Sequence, residues 1–331
     1  MLKKKIKLIT VGTLIILAII SSGCGLVKYN NIGHFKADES MALYKEKKYD
    51  EAIKSVDSFL EKYPNNKQAI SQKAYILIGS GKNEDGLIML TNMYEDGVRD
   101  SAALDNMSWA YNNLHMYEMA GKYIDLCLKT FPGDEEEYVN KGNALFGLKK
   151  YDDAITYYDK ALKMNPKYTL ALYGKALSLY SSGDYSNCLD YFKKYVEAGG
   201  DNKSINNYIL NAYLKLNDFN GAIDEFNSQI NKNPDKFSLY IMLGSIYEKK
   251  DDFDKAIDSY DTVINKKNDY AEAYYDKAIC LVKLGKKDEA CNNLKFAIKY
   301  DEEYVYDIED DPEFDSIRNY DKFQALINKE D

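Results

Sequence analysis

The sequence predicts an all-α solenoid of eight helix–turn–helix units closed by a short helical cap. Three observations carry that prediction. Four of the five prolines, Pro64, Pro132, Pro166 and Pro234, are spaced at multiples of 34 residues. Eight small residues keep the same interval without a gap: Ala52, Gly86, Ala120, Ala154, Cys188, Ala222, Ala256 and Ala290. With that column set as position 20 of each unit, apolar residues recur at positions 4, 8 and 11 and again at 20, 24, 27 and 28, both helical spacings.

The chain opens on a targeting segment, residues 1–23. Lys3, Lys4, Lys5 and Lys7 precede an uncharged, mostly apolar run from Leu8 to Ile20, followed by Ser21-Ser22-Gly23-Cys24. A small residue directly before Cys at the end of such a run resembles a bacterial lipobox, with Ser21 standing where Leu is usual. That resemblance implies a lipid on the Cys24 thiol and cleavage before it. The other reading is an uncleaved anchor, because Leu8 to Val27 is uncharged and just long enough to span a bilayer. Both readings place the rest of the chain on the extracytoplasmic face. Residues 24–32 are then the lipidated Cys and a short linker.

Eight units follow: 33–66, 67–100, 101–134, 135–168, 169–202, 203–236, 237–270 and 271–304. Each reads as a helix, a tight turn and a second helix. Small residues at positions 8 and 20 let the two helices cross closely. Pro at 32 cannot continue the second helix and presets the turn into the next unit. Repeats 2 and 5 depart most: Val98 and Gly200 replace the proline, and Cys188 replaces the alanine. Repeat 2 also holds Gly79, Gly81, Gly86 and Gly97, which cost helix stability. It is expected to be softer, not broken.

This pattern resembles the tetratricopeptide repeat. The unit with Tyr138, Gly142, Leu145, Ala154, Tyr158, Ala161 and Pro166 matches that family at nearly every key position. The resemblance covers residues 33–304 and implies a right-handed α-solenoid whose first helices line a groove. The tail, 305–331, resembles the short helical segment that often closes such arrays. Residues 301–315 hold nine acids and no base. They read as a solvated cap, or else as a site for a basic partner or loosely held calcium.

Composition limits the chemistry. The formal net charge is −9, and no basic patch tracks phosphates, so nucleic acid is not an expected partner. Removing residues 1–23 takes away four lysines and no acids, so a lipid and not charge would hold the mature chain at a membrane. His34 and His115 are too few and too far apart for a His-based metal site or triad. Cys127, Cys188, Cys280 and Cys291 fall mostly at packing positions and read as free core thiols. A Cys280–Cys291 disulfide is the minority reading. No phosphate loop, nucleophile elbow or metal-ligand spacing is present, so neither catalysis nor a cofactor is expected.

Recognition is better supported. On each first helix, positions 2, 6, 9 and 13, with 5 beside them, lie opposite the packing stripe. The middle repeats place Asn106, Trp109, Asn113, Asn140, Asn143, Tyr173, Asn207, Tyr208 and Asn211 there. Asn can pair with the backbone of an extended peptide, and Tyr and Trp add flat apolar area. A chain generally rich in Asn and Tyr would give the same cluster by accident. Some family members clamp C-terminal carboxylates with Lys and Asn at fixed positions of three consecutive units, and no three units here satisfy that arrangement. The expected function is a membrane-anchored scaffold for proteins or peptide segments of the bacterial cell envelope. The alternative is a lipoprotein presenting wall glycan or peptide to a transporter or wall enzyme.

Overall fold

A computed structural model describes residues 35–131 and 133–328. The targeting segment, Cys24, His34 and Pro132 lie outside the described residues. Regular structure among the described residues is entirely helical. Repeats 1 to 4 hold α1 (Asp38–Lys45) and α2 (Tyr49–Leu60), α3 (Lys67–Gly79) and α4 (Asn83–Glu95), α5 (Ser101–Asn113) and α6 (Tyr117–Thr130), α7 (Glu135–Gly147) and α8 (Tyr151–Met164). Repeats 5 to 8 hold α9 (Thr169–Ser182) and α10 (Tyr185–Glu197), α11 (Asn206–Lys215) and α12 (Phe219–Lys232), α13 (Phe237–Lys249) and α14 (Phe253–Lys266), α15 (Ala271–Lys283) and α16 (Lys287–Tyr300). The chain divides into two compact units, residues up to 110 and residues from 111 onward.

One turn is used eight times. The N–H at position 16 donates to the carbonyl at position 11 in every repeat, from Lys48 to Leu43 through Lys286 to Leu281. Position 15 between them is left-handed in all eight: Lys47, Gly81, His115, Lys149, Gly183, Asn217, Asp251 and Gly285. This is the usual way a helix satisfies its last carbonyls. Only three of the eight are glycine, and a side chain in this conformation costs about 1–2 kcal/mol. Gly183→Lys is therefore expected to destabilise repeat 5 by about 1 kcal/mol or more, and Lys149→Gly to stabilise repeat 4 by less, since glycine also loses backbone entropy. Chemical denaturation of both variants checks the pair.

The departures of repeats 2 and 5 follow from the same device. Gly97 and Gly199, one residue before the missing proline, are left-handed and close the second helix instead. Val98 and Gly200 donate to Met93 and Tyr195. In repeat 5 the chain then turns irregularly through 201–204, so α11 begins late and is shorter than the first helices of repeats 2 to 5, 7 and 8. In repeat 2 only Gly86 lies inside a helix; Gly79 ends α3, and Gly81 and Gly97 sit in the turns. A Cβ on Gly86 would meet Ile78 Cγ1 at 2.7 Å, so that glycine marks a close helix crossing.

The packing columns form the core. All eight residues at position 20 and all eight at position 24 are buried. Position 8 is buried except at Leu210, the one large aliphatic residue in that column. Positions 8 and 24 are matched in size. Tyr occupies 24 twice, as Tyr158 and Tyr260, and those two repeats alone have glycine at 8. A Cβ on Gly142 would stand 2.6 Å from Tyr158 Cε1, and one on Gly244 2.5 Å from Tyr260 Cε1. Cys127, Cys188, Cys280 and Cys291 are buried free thiols, so the disulfide alternative is not realised. Burial, with Asp184 nearby, pushes the Cys188 thiol up to about 12.

Polar contacts tie one repeat to the next. Lys at position 7 meets Asp at position 25 of the preceding repeat as Lys73–Asp57 (2.6 Å), Lys141–Asp125 (2.7 Å), Lys175–Asp159 (2.5 Å) and Lys277–Asp261 (2.5 Å). Burial works against the Lys175 charge, but hydrogen bonds to Asp159 and Tyr191 outweigh it and raise its pKa. Before α7, Asp134 accepts from the N–H groups of Glu136 and Glu137 while Glu137 accepts from Asp134 N–H, a complete capping box. At the C-terminal end, α17 (Tyr304–Asp310), a 3-10 turn (Pro312–Ile317) and α18 (Asp321–Ile327) bury Ile308, Phe314, Ile317 and Phe323 against repeat 8. Most of the acids of 301–315 face outward, as a solvated cap requires.

Candidate functional site

The first helices carry the candidate residues, and the structure sorts them. In the unit up to residue 110, Asn106 is buried and Trp109 half-buried. The Trp109 ring lies 5.3 Å from Tyr75, whose ring is 5.2 Å from Tyr44. These three make an aromatic row. Tyr75 shares position 9 with Trp109, a signal the sequence held.

In the unit from residue 111, Asn113 is exposed, Asn140 buried and Asn143 half-buried. The Asn143 carbonyl accepts from the Tyr158 hydroxyl at 2.8 Å, so one of its groups serves the fold. The backbone carbonyl of Asn140 accepts from Asn112 Nδ2 at 2.9 Å. Position 6 was expected on the open face, and Asn106 and Asn140 correct that expectation. A wheel drawn for one helix omits its neighbours. The first helices of repeats 4 and 5 touch directly. Gly174, at position 6 of repeat 5, lies under the Tyr158 ring, where a Cβ would meet Cε1 at 2.5 Å.

Repeats 5 and 6 bring the largest group together. Tyr173 and Tyr208 are half-buried, and Asn207 and Asn211 are exposed. Tyr180, at position 12, joins them: its ring lies 5.2 Å from Tyr208 at 82°, and the Asn211 side chain lies near its hydroxyl. Tyr173 packs 5.4 Å from Tyr195, and Tyr208 packs 5.9 Å from Phe192. Burial, then the neighbouring tyrosines, raises the pKa of the Tyr173 phenol, so it stays a neutral hydrogen-bonding group. Beside them, the buried Asn206 Oδ1 has no hydrogen-bond partner. The patch offers flat rings and amides without a formal charge of its own. That chemistry suits the backbone and apolar side chains of an extended segment.

Cavities lie elsewhere. One of about 450 Å³ opens among Leu189, Lys193, Ile209, Tyr213, Ser228 and Lys232, beside the second helices of repeats 5 and 6. Another of about 910 Å³ lies between α16 and α18. None of the nine candidate first-helix residues lines either one. Among the described residues, no group of three or more His, Cys, Asp or Glu side chains is placed to hold a metal, and no helix is long and apolar enough to cross a membrane.

Family models of the tetratricopeptide repeat match residues 40–66, 136–168, 237–268 and 271–304, within repeats 1, 4, 7 and 8. The chain is a tetratricopeptide repeat protein. The C-terminal part of a TPR repeat-containing protein from Cytophaga hutchinsonii shares the fold, with a TM-score of 0.60 at 14% identity over 70% of this chain and 95% of that one. YrrB, described as a TPR protein with an unusual peptide-binding site, gives 0.42 at 19% identity over 56% and 95%. MamA gives 0.41 at 24% over 50% and 96%. No curated protein sequence matches. In this tetratricopeptide repeat protein, the Tyr173–Tyr180–Tyr208 group sits on the first helices of repeats 5 and 6.

Proposed function

We propose that this tetratricopeptide repeat protein is an interaction scaffold, held by a lipid on Cys24 at the extracytoplasmic face of a bacterial membrane. It gathers envelope proteins by binding extended peptide segments on its first helices. The observation that carries this reading is the convergence of Tyr173, Tyr180 and Tyr208 with Asn207 and Asn211 on two consecutive first helices. Rigid rings give contact area at low entropy cost, and the amides pair with a peptide backbone whatever its side chains. Residues 25–32 reach at most about 28 Å when extended, which keeps the array close to the bilayer.

The anchor is tested with radiolabelled fatty acid in cells. Label is expected on the wild type and absent from Cys24→Ala, which should keep its uncleaved leader. Equal label on both, or none on either, would remove the lipid from the account and leave the spanning anchor.

A further inference from the structure

The last two repeats place acids where repeats 5 and 6 place tyrosine and asparagine. Glu272, Asp276 and Cys280 stand four residues apart on α15 and form one stripe. Asp276 occupies position 6, the place of Tyr208 in repeat 6. From α13, Glu248 accepts a hydrogen bond from the Cys280 thiol at 3.1 Å. Tyr270 donates to Glu272 at 2.5 Å. Tyr275 donates to Asp311 of the cap, and its ring lies 5.0 Å from Tyr304.

Asp276 has no basic partner and accepts no hydrogen bond among the described residues. The bases nearby are committed: Lys277 pairs with Asp261, and Lys283 with Glu313. Lys249 adjoins Glu248 along the chain and is exposed, and Asp307 adds a further acid from α17. Burial, then Glu248 and Glu272, pushes the Asp276 carboxyl up to about 8. The acids are thus gathered in a half-buried place without the cation that would balance them.

An internal comparison gives the second observation. Tyr158 and Tyr260 hold the same repeat position, and each packs on a glycine at position 8. The Tyr158 hydroxyl donates to Asn143, at position 9. Repeat 7 has the shorter Ser245 there, and the fully buried Tyr260 hydroxyl has no partner within hydrogen-bonding geometry. Asp276, Glu248 and Cys280 are its polar neighbours, and Glu248 is the one near enough to take its proton, which leaves the Tyr260 oxygen free to accept.

We propose that the acidic face shared by the first helices of repeats 7 and 8 is a subsite for a basic side chain, lysine or arginine, of the bound peptide. The cation sits among Glu248, Asp276 and Glu272 and donates to the unpartnered Tyr260 oxygen. Its aliphatic stem lies against the Tyr275 and Tyr304 rings. This rests on the reading of the first helices as the recognition surface. It adds that the partner segment carries a positive charge, opposite in sign to the carboxylate-clamp members of the family.

The test uses the full chain in detergent, with N-acetyl-lysine methylamide, N-acetyl-arginine methylamide and the uncharged N-acetyl-norleucine methylamide as probes. The Asp276 carboxyl is followed by carbon NMR. The two basic probes are expected to bind saturably and lower the Asp276 titration midpoint, and norleucine to do neither. Asp276→Asn and Glu248→Gln should each weaken lysine binding roughly tenfold, read from the Tyr275 ring signals, because each removes a charge-assisted bond. Circular dichroism confirms that both variants fold. Norleucine matching lysine, or lysine binding unchanged in both variants, would overturn the subsite. So would an Asp276 response to calcium and not to the basic probes, which would assign the place to a metal. The probes need no partner, so their failure leaves the peptide face of repeats 5 and 6 standing, and failure of that face in cells leaves a positive probe result standing.

Discussion

Tyr158→Ala is expected to destabilise repeats 4 and 5 by about 3–5 kcal/mol, the range for removing a large buried ring. The Tyr158 side chain is buried between Gly142 and Gly174, neither of which has a side chain to fill the void. Its hydroxyl also leaves Asn143 without a donor. In a repeat array each unit leans mainly on its neighbours, so the loss should appear as a split unfolding transition in urea, with hydrogen exchange quickening first across residues 135–200. The glycines give a sharper version. Gly142→Ala alone forces a Cβ onto the ring and should cost about 1–3 kcal/mol as overpacking. With Tyr158→Leu, repeat 4 acquires the Ala and Leu that repeats 2 and 8 already hold at positions 8 and 24. In that background Gly142→Ala should become stabilising, by up to about 1 kcal/mol, because alanine is the better helix former. A cycle of the four proteins in chemical denaturation reads this reversal of sign directly. Equal effects in both backgrounds would mean that the two columns are not coupled.

Tyr208→Ala combined with Tyr180→Ala should abolish partner binding. Aromatic anchors at interface centres are worth about 2 kcal/mol or more each, roughly thirtyfold in affinity. Tyr180 and Tyr208 pack edge to face, so the two losses should be non-additive. Both rings are half-buried at the edge of the core, so the double variant should lose some stability but keep its helical content, which circular dichroism checks. Asn211→Ala, which removes the exposed amide beside Tyr180, should show a smaller loss of the same kind. Trp109→Ala is a different case. Its ring packs against Tyr75 in a tilted pair, so both packing and binding are lost together.

The repeat architecture was open to reading because its signals are single-residue ones. Small residues at position 20 and apolar ones at 24 can be seen one column at a time. Three features were harder, each for a physical reason. The left-handed turn at position 15 carries glycine in only three repeats, and Lys, His, Asn and Asp tolerate it elsewhere, so no column stands out. The size match between Gly142 and Tyr158 is written in the sequence but only as a pair of columns. Position 12 is the third: it lies three residues beyond position 9 and so on the same stripe, but its mixed residues mark no column. It holds Tyr44, Tyr180 and Glu248, each of which belongs to a feature described above. Position 6 is split: Tyr208 stays on the open face, whereas Asn106 and Asn140 are buried, because a single-helix wheel contains no neighbouring repeat.

The central claim is that partners are held on the first helices of repeats 5 and 6. A photo-activated cross-linking residue placed in turn at Asn207, Asn211, Lys193 and Ser228, all exposed, tests it in intact cells. The first two lie on a first helix, and the last two beside the cavity of the second helices. Adducts are predicted from 207 and 211 and should vanish when Tyr180→Ala and Tyr208→Ala are added. Adducts formed chiefly from 193 and 228, or unaffected by the two tyrosine substitutions, would contradict it.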